Sequence, residues 1–281
     1  MADEGTAGPA SPLDLEMDKP HSSRVYDYYL GGKTNYAADR EAGDQVLAVW
    51  PGARTAARTN RAFMHRAAGV LAGELGLGQF LDIGTGIPTE PNLHQVVQGE
   101  NPRARVVYVD NDPLVLAHAR ALMNSSPEGR TAYLHADFTE PDSVLKAPEL
   151  ERTLDLTRPV ALSVLALLHF VPDEYGAYDL LRRYVGALPS GSALVLSHGT
   201  SDFAPETMGR AGAVYTQRVV RAQSRSREEF ARFFDGLDLV EPGIAVPHRW
   251  RPYRRTGACI GSEQDVADAE VALWAGLAVK P

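Results

Sequence analysis

The chain has 281 residues, 44% of them hydrophobic, and a formal net charge of −8 at pH 7. It can therefore bury one sizeable core, and it lacks the broad basic surface that a nucleic-acid partner would need. Because it has a single cysteine and no apolar run of membrane-spanning length, we expect a cytoplasmic protein with no disulfide, membrane, nucleic-acid or metal partner.

The N-terminal segment changes character at residue 20. Residues 1–19 are rich in Ala, Gly, Pro and acidic side chains, which predicts a disordered tail. In residues 20–36, aromatic, cationic and amide side chains follow one another, and Val25, Tyr28 and Tyr29 have the spacing of one helix face. Two interpretations stay open: a helix that only covers the core, or a lid over the cofactor or acceptor. The candidate lid residues are Arg24, Tyr28, Lys33 and Asn35.

Two further helices are predicted before the first strand, at residues 38–50 and 55–76, from their apolar spacing. The second ends near Gly76 or Gly78. Such a helix commonly exposes its charged face to solvent, although a ligand-binding role for some of the charges stays open. The face in question carries Arg54, Arg58, Arg61 and Arg66.

A glycine turn between a strand and a helix is the strongest local signal. Residues 79–83 are apolar and β-prone, as in a buried parallel strand, and they stop abruptly at Gly84, Thr85 and Gly86. Glycines let a ligand approach the backbone and allow turn angles that a Cβ would penalise. The next strand ends in Asp110, whose carboxylate can accept hydrogens from both ribose hydroxyls. The turn therefore suits an adenosine.

Two motifs that the chain lacks reduce the number of adenosine ligands that fit the turn. A dinucleotide fingerprint needs a third glycine where this chain has Thr89, and no phosphate-binding G-x-x-x-x-G-K-[ST] motif is present. Asp82, just before the glycines, would repel a pyrophosphate but could pair with an ammonium group. S-adenosyl-L-methionine (SAM) carries such a group.

Four motifs in order resemble those of class I SAM-dependent methyltransferases. The first is the acidic-x-G-x-G turn with its ribose-binding acid, Asp110. Residues 135–138 (HADF) resemble the third motif, residues 165–173 the segment after the fourth strand, and residues 188–197 the turn into the fifth strand. The resemblance implies that Asp137 faces the adenine amino group.

A narrower resemblance covers the chain from about residue 20 to its end. The strings at residues 20–41 (PHSSRVYDYYLGGKTNYAADRE), 56–63 (AARTNRAF) and 80–89 (FLDIGTGIPT) closely resemble the S-adenosyl methyltransferase family, long catalogued as a domain of unknown function. The resemblance implies a class I fold and SAM as cofactor, and it leaves the acceptor undefined. It also makes Arg58 and Asn60 candidates to bind the SAM carboxylate.

The expected fold is α/β. Strands alternating with helices predict a doubly wound, mostly parallel, seven-stranded Rossmann-like sheet with an N-terminal helical lid. We expect one domain at residues 20–281, comprising a cap at 20–78 and a core at 79–281. Its further predicted elements are helices at 92–99, 113–123, 205–221 and 226–234, a central strand at 159–168, a closing antiparallel pair at 237–246 and 271–279, and a polar loop at 253–269.

The candidate site residues follow from these motifs. His169 is interpreted as structural support beside the cofactor in preference to a proton-transfer group, and no catalytic residue is assigned. If the acceptor must lose a proton, the groups to test are Tyr26, Asp27 and His169. The predicted cofactor-binding residues are Asp82, Gly84, Thr85, Gly86, Asp110, Asn111, Asp137, Phe138, Leu165, His169, Arg58 and Asn60.

The functional expectation is SAM-dependent methyl transfer to a small-molecule acceptor, with an O, N or C nucleophile. The alternative is a SAM-binding sensor or regulatory protein without transferase activity, since an intact cofactor site does not establish turnover. A nicotinamide oxidoreductase is disfavoured by Asp82 and Thr89. The oligomeric state stays open.

Overall fold

The computed structural model describes residues 15–122, 125–252 and 265–281. Most of the predicted tail, and residues 253–264 of the predicted polar loop, lie outside these ranges. Within the tail, Leu15 packs beside Ile87, Leu114 and Val115.

A seven-stranded sheet forms the centre of the described molecule. Its strands are Gln79–Ile83 (β1), Arg105–Asp110 (β2), Arg130–His135 (β3), Ala161–Leu165 (β4), Ala193–Gly199 (β5), Asp238–Leu239 (β6) and Leu273–Val279 (β7). The order across the sheet is β3-β2-β1-β4-β5-β7-β6. Strands β1 to β5 run parallel, and β7 is antiparallel to both β5 and β6. The predicted doubly wound, mostly parallel sheet is confirmed.

Helices cover both faces of the sheet and precede it in the chain. Those in the described ranges are Ser22–Leu30 (α1), Ala37–Val49 (α2), Ala53–Gly69 (α3), Leu93–Glu100 (α4), Pro113–Leu122 (α5), Pro141–Leu145 (α6), Pro148–Thr153 (α7), Ala177–Gly186 (α8), Pro205–Arg218 (α9), Arg227–Ala231 (α10) and Asp268–Val271 (α11). A π-helical turn, Val70–Glu74, extends α3. The three predicted N-terminal helices are thus confirmed.

Alternate positions of β1 enter two separate cores, because successive side chains of a strand point to opposite faces. Phe80 packs with Phe63 of α3 on one face. Leu81 and Ile83 pack on the other face, in the core that also contains Tyr184 of α8. The sheet is therefore buried on both sides, and its ligand-accessible part is the edge where the parallel strands end.

The strand predicted at residues 237–246 is wrong in extent. Within this predicted stretch only the two residues of β6 pair regularly with β7, and Ala245 adds one isolated bridge to the same strand. Pro242 has no backbone N–H to donate to a ladder, and Gly243 adopts a positive φ of 78°. The chain turns at these two residues and the ladder is interrupted.

Two other strands are shorter than predicted. Strand β4 covers the middle of the predicted residues 159–168, because the apolar run continues into a turn whose Leu168 is buried in the same core. Strand β7 begins two residues after the predicted start, because the preceding residues form α11 and Ala272 has a positive φ of 43°.

Candidate cofactor and acceptor site

A cavity of about 1300 Å³ lies where the parallel strands end. The ends of β1, β2 and β4 form its floor, and α1, α3 and α9 contribute walls. In this sheet the strand order reverses between β1 and β4. Crevices at such reversals are the usual ligand sites of open α/β sheets.

The glycine turn lines the cavity. Gly84 and Gly86 have positive φ values of 76° and 69°. A Cβ on Gly84 would lie 2.9 Å from Leu167 Cδ2, whereas a Cβ on Gly86 would meet no atom within 4 Å. Gly84 is thus required by packing, and Gly86 leaves space that a ligand can enter.

Asp82 and Arg61 lie together at the end of β1. Burial raises the pKa of Asp82 to about 6, while the nearby Ser163 hydroxyl and the charge of Arg61 oppose the rise. The Arg61 side chain donates to the carbonyls of Thr89 and Pro91, and its Nε is buried with no hydrogen-bond partner among the described residues. The cavity therefore contains a buried cationic donor close to a buried carboxyl group.

Asn60 precedes Arg61 on α3 and also faces the cavity. Its Nδ2 donates to the Tyr26 hydroxyl at 3.0 Å, and that hydroxyl donates to the carbonyl of Ala57 at 3.0 Å. These bonds orient the amide so that Oδ1 is its unused acceptor, and this buried oxygen has no partner within the described ranges. One turn of α3 thus offers an unused acceptor and an unused donor.

Asp110, at the end of β2, is fixed by backbone donors. Its Oδ2 accepts from Gly86 N at 2.7 Å, and its Oδ1 accepts from Asp112 N at 2.9 Å. Burial raises the pKa of Asp110, and these two hydrogen bonds oppose the rise. Each oxygen keeps a lone pair, so the carboxylate can still accept from two hydroxyl groups.

Asp112 ties α1 to this corner of the cavity. The carboxylate of Asp112 is fully buried, and its Oδ2 accepts from Ser23 Oγ at 2.8 Å and from Arg24 Nε at 2.9 Å. The predicted lid residue Arg24 is therefore a buried clamp that does not line the cavity. It holds α1 against the segment that positions Asp110.

Asp137 and its neighbours form the wall beyond β3. Partial burial opposes ionisation of Asp137, but hydrogen bonds from Thr139 and Asn111 outweigh it, so the pKa of this carboxyl is below its usual value. Asn111 Nδ2 donates to Asp137 Oδ2 at 2.7 Å. Phe138, which stacks on Tyr184 with ring centroids 5.1 Å apart, also lines the cavity, as does Leu165 of β4.

His169 lines the cavity after β4 and is held in one tautomer. Its Nδ1 accepts from Gly199 N at 3.3 Å, which leaves the ring proton on Nε2. Burial, together with the charge of Arg225, lowers the pKa of His169 to about 3. At neutral pH the ring is uncharged and presents a donor, so its geometry does not suit a general base.

Arg225 holds the segment after β4 in place through hydrogen bonds. Its side chain is fully buried and donates to the carbonyls of Leu168 and Val171, each at 3.0 Å, and to the carboxylate of Asp173. It also contacts His198 Nε2, and His198 does not line the cavity. No local sequence signal indicates this role, because Arg225 stands in a polar stretch with several other arginines.

Several predicted site residues do not face the cavity. Arg58 is exposed and lines no part of it. Asp27 is buried, and its Oδ2 accepts from Thr34 N and Asn35 Nδ2, so Asp27 and Asn35 stabilise the turn after α1. The remaining two lid candidates also do not line the cavity: the hydroxyl of Tyr28 donates to Asp44 and accepts from Arg54, and Lys33 is exposed. From α1 the residues that line the cavity are instead Ser22, Ser23, Tyr26 and Tyr29.

Helical phase explains why Arg61, and not Arg58, reaches the cavity. Successive residues of an α-helix are 100° apart, so Ala57 and Met64 lie about 40° and 60° to one side of Arg61, whereas Arg58 lies about 60° to the other side. Arg58 is rotated by about 200° from Asn60. The part of α3 that lines the cavity comprises Ala53, Ala56, Ala57, Asn60, Arg61 and Met64. Had this face been recognised in the sequence, Arg61 would have replaced Arg58.

The sheet order, the glycine turn and the acids at the strand ends together define a Rossmann-like methyltransferase. The sequence profile of a family described as S-adenosyl methyltransferase matches residues 9–281. The chain belongs to this family, whose cofactor is SAM.

Two solved structures are similar over nearly the whole chain. A DUF574 family protein from Streptomyces avermitilis MA-4680 is 49% identical, with a TM-score of 0.91 over 95% of this chain and 100% of the other. A provisionally assigned methyltransferase from Thermobifida fusca YX is 35% identical, with a TM-score of 0.86 over 96% and 98% of the two chains. A search of curated proteins gives no significant match. None of the described helices is long and apolar enough to cross a membrane.

Proposed function

We propose that the chain is a cytoplasmic enzyme that transfers the methyl group of SAM to a small-molecule acceptor. The observation that carries this proposal is the pair of unused polar atoms on α3. Asn60 Oδ1 offers an acceptor for an ammonium group and Arg61 Nε a donor for a carboxylate. A cofactor that ends in a zwitterionic amino acid requires both groups, and Asp82 nearby adds a counter-charge for the ammonium.

The other end of the cavity suits an adenosine. In this proposal Asp110 accepts from the two ribose hydroxyls, Asp137 accepts from the adenine amino group, and Phe138 packs against the base. Gly86 leaves room for the ligand beside the turn. These groups line the same cavity as Asn60 and Arg61. One extended ligand with an adenosine at one end and an amino acid at the other therefore contacts both.

The chain's part in the reaction is alignment and exclusion of water. SAM supplies an activated methyl group and its own leaving group when bound. The protein must hold an acceptor in line with that methyl group. Tyr26 and Tyr29 of α1 line the cavity, and in this proposal their rings shield the reacting groups from water. We assign His169 a packing or hydrogen-bond donor role, and we propose that residues 20–281 act as one domain with residues 20–78 as its cap.

The size of the cavity supports a transferase over a protein that only binds SAM. Pockets for a single small ligand usually occupy about 300 to 1000 Å³. The cavity here measures about 1300 Å³. It therefore has room for a second molecule beside the cofactor, which a sensor for SAM alone does not need.

Calorimetric titration tests the cofactor assignment. The purified protein is titrated with SAM, S-adenosylhomocysteine (SAH) and NAD, and the titrations are repeated on Asp110→Ala. We expect binding of the first two ligands, none of NAD, and loss of binding in the variant. Asp179→Ala is the matched control, because this carboxylate is 78% exposed on α8 and lies away from the cavity. Binding of NAD without SAM would refute the proposal.

A turnover assay separates the transferase from the sensor. The protein is incubated with SAM and a library of small acceptors, and release of SAH is measured. Transferase activity predicts acceptor-dependent SAH release that disappears in Asp110→Ala. If SAM binds tightly but no acceptor in the library causes SAH release, the result would favour the sensor.

A further inference from the structure

Resting on the methyl transfer proposed above, we infer that the acceptor is an uncharged aromatic molecule held beside α9. The part of the cavity that would hold it, which we call the acceptor chamber, is the wall away from the acids at the strand ends. It is lined by Tyr29, Trp50, Phe170, Met208, Tyr215 and Val219.

Aromatic side chains reach the acceptor chamber from separate elements. Tyr29 comes from α1, Trp50 follows α2, and Tyr215 comes from α9. The rings of Phe170 and Tyr215 have centroids 5.4 Å apart and an interplanar angle of 46°. Rings at several orientations around one space can pack on the face and the edge of a flat aromatic ligand at the same time. A saturated ligand of the same size gains only the burial of its surface.

The chamber wall contributed by α9 is uncharged. Glu206, Arg210 and Arg218 of this helix are exposed and do not line the cavity. Burial raises the pKa of Tyr215 to about 12, so its hydroxyl stays neutral. His169, at the edge of the chamber, is neutral for the reason given above. A charged acceptor would therefore be buried here without a counter-charge from α9 or from His169, which is strongly unfavourable.

The chamber can be probed with a pair of fluorescent dyes that differ in charge. N-phenyl-1-naphthylamine is an uncharged aromatic amine, and 8-anilinonaphthalene-1-sulfonate has nearly the same rings plus a sulfonate. Each dye is titrated into the full chain with SAH already saturating. We expect the uncharged dye to bind at one site and the anionic dye to bind at least about tenfold more weakly.

Displacement of the uncharged dye tests the aromatic requirement. The competitors are 2-naphthol, its saturated counterpart 2-decalol and its anionic counterpart 2-naphthoate. We expect 2-naphthol to displace the dye at a concentration at least about threefold lower than 2-decalol does, because ring-on-ring contacts add to surface burial. Naphthoate should be the weakest competitor.

A variant that fills the chamber shows whether the dye binds there. Gly212 on α9 lines the cavity, and a Cβ at this position would meet no atom within 4 Å, so the backbone accepts a side chain here and the indole of Gly212→Trp would extend from the cavity wall. The control is Gly99→Trp on α4, where a Cβ also meets nothing and the residue is exposed outside the cavity. We expect Gly212→Trp to weaken the uncharged dye at least about tenfold and to leave SAH binding unchanged, with no effect of Gly99→Trp.

The outcomes separate this inference from the proposed function. If SAH does not bind the unmodified protein, the proposed function fails. If SAH binds but the uncharged dye does not, or the anionic dye binds equally well, the inference about the acceptor is wrong and the cofactor assignment stands. Dye binding that Gly212→Trp leaves intact would place the dye outside the chamber and would also overturn the inference.

Discussion

Arg61 is the residue whose replacement best tests the cofactor geometry. Its guanidinium lines the cavity with Nε unused, and the proposed partner is the carboxylate of the cofactor. Hydrogen bonds to charged groups contribute about 1.5 to 3 kcal/mol. Since each 1.4 kcal/mol is a factor of ten, Arg61→Ala should raise the Kd for SAH by about 10-fold to 150-fold.

The matched control is Arg58→Ala. Both arginines belong to α3, and Arg58 is exposed outside the cavity. We expect this variant to bind SAH within about twofold of the unmodified protein, as surface substitutions usually have small effects. The opposite ranking of the two variants would support the interpretation of the sequence and contradict the structure.

A second ligand shows whether Arg61→Ala weakens SAH binding through a lost contact with the ligand or through movement of the neighbouring loop. Arg61 also donates to the carbonyls of Thr89 and Pro91, so its removal can move the segment after the glycine turn. The ligand 5′-methylthioadenosine contains the adenosine of SAH without the amino acid. Calorimetry should show that Arg61→Ala leaves its Kd unchanged. Equal losses for both ligands would refute the carboxylate contact.

Three further predictions concern charge, a buried network and the glycine turn. Because the pKa of Asp82 is about 6, its carboxylate is lost as the pH falls through that value, so the Kd for SAH should rise about tenfold from about pH 7 to about pH 5. Calorimetry should find no such change for 5′-methylthioadenosine or for SAH with Asp82→Asn, and a pH dependence that persists in the variant would exclude Asp82 as its source. Replacing Arg225 by Met removes the guanidinium donor to the carbonyl of Val171 and leaves the carbonyl of Leu168 with only its backbone donor. The replacement should lower the free energy of unfolding by about 3 kcal/mol or more in urea titrations, with Arg225→Lys recovering only part of it. Gly84→Ala combines a positive φ with a contact to Leu167 and should cost about 1 to 3 kcal/mol of stability, measurably more than Gly86→Ala, whose Cβ meets open space; equal losses would contradict this account.

The floor of the site could be predicted from the sequence because its signals are local. A short apolar strand, two glycines at a turn and an acid at the end of the next strand are each encoded within a few residues. The parallel sheet then brings the ends of β1, β2 and β3 to one edge whatever the loops contain. Asp82, Gly86, Asp110 and Asp137 accordingly line one cavity.

The walls could not be predicted in the same way, because they depend on how distant segments pack. Arg24 reaches Asp112, 88 residues later, and so becomes a clamp instead of a lid contact. Arg225 reaches Leu168, 57 residues earlier, and fixes the loop that carries His169. Neither partner is close in the chain, so neither pairing has a local sequence signal.

The sequence by itself determined the class of the protein, its cofactor and the acids at the strand ends. Only the tertiary structure decided which arginine of α3 faces the cavity, which tautomer His169 adopts and how α9 closes an uncharged aromatic chamber. The physical reason is the distance along the chain over which each kind of interaction acts. Turn chemistry and strand periodicity act over a few residues, whereas the direction of a side chain on a packed helix is set by the rotation of that helix against the rest of the molecule.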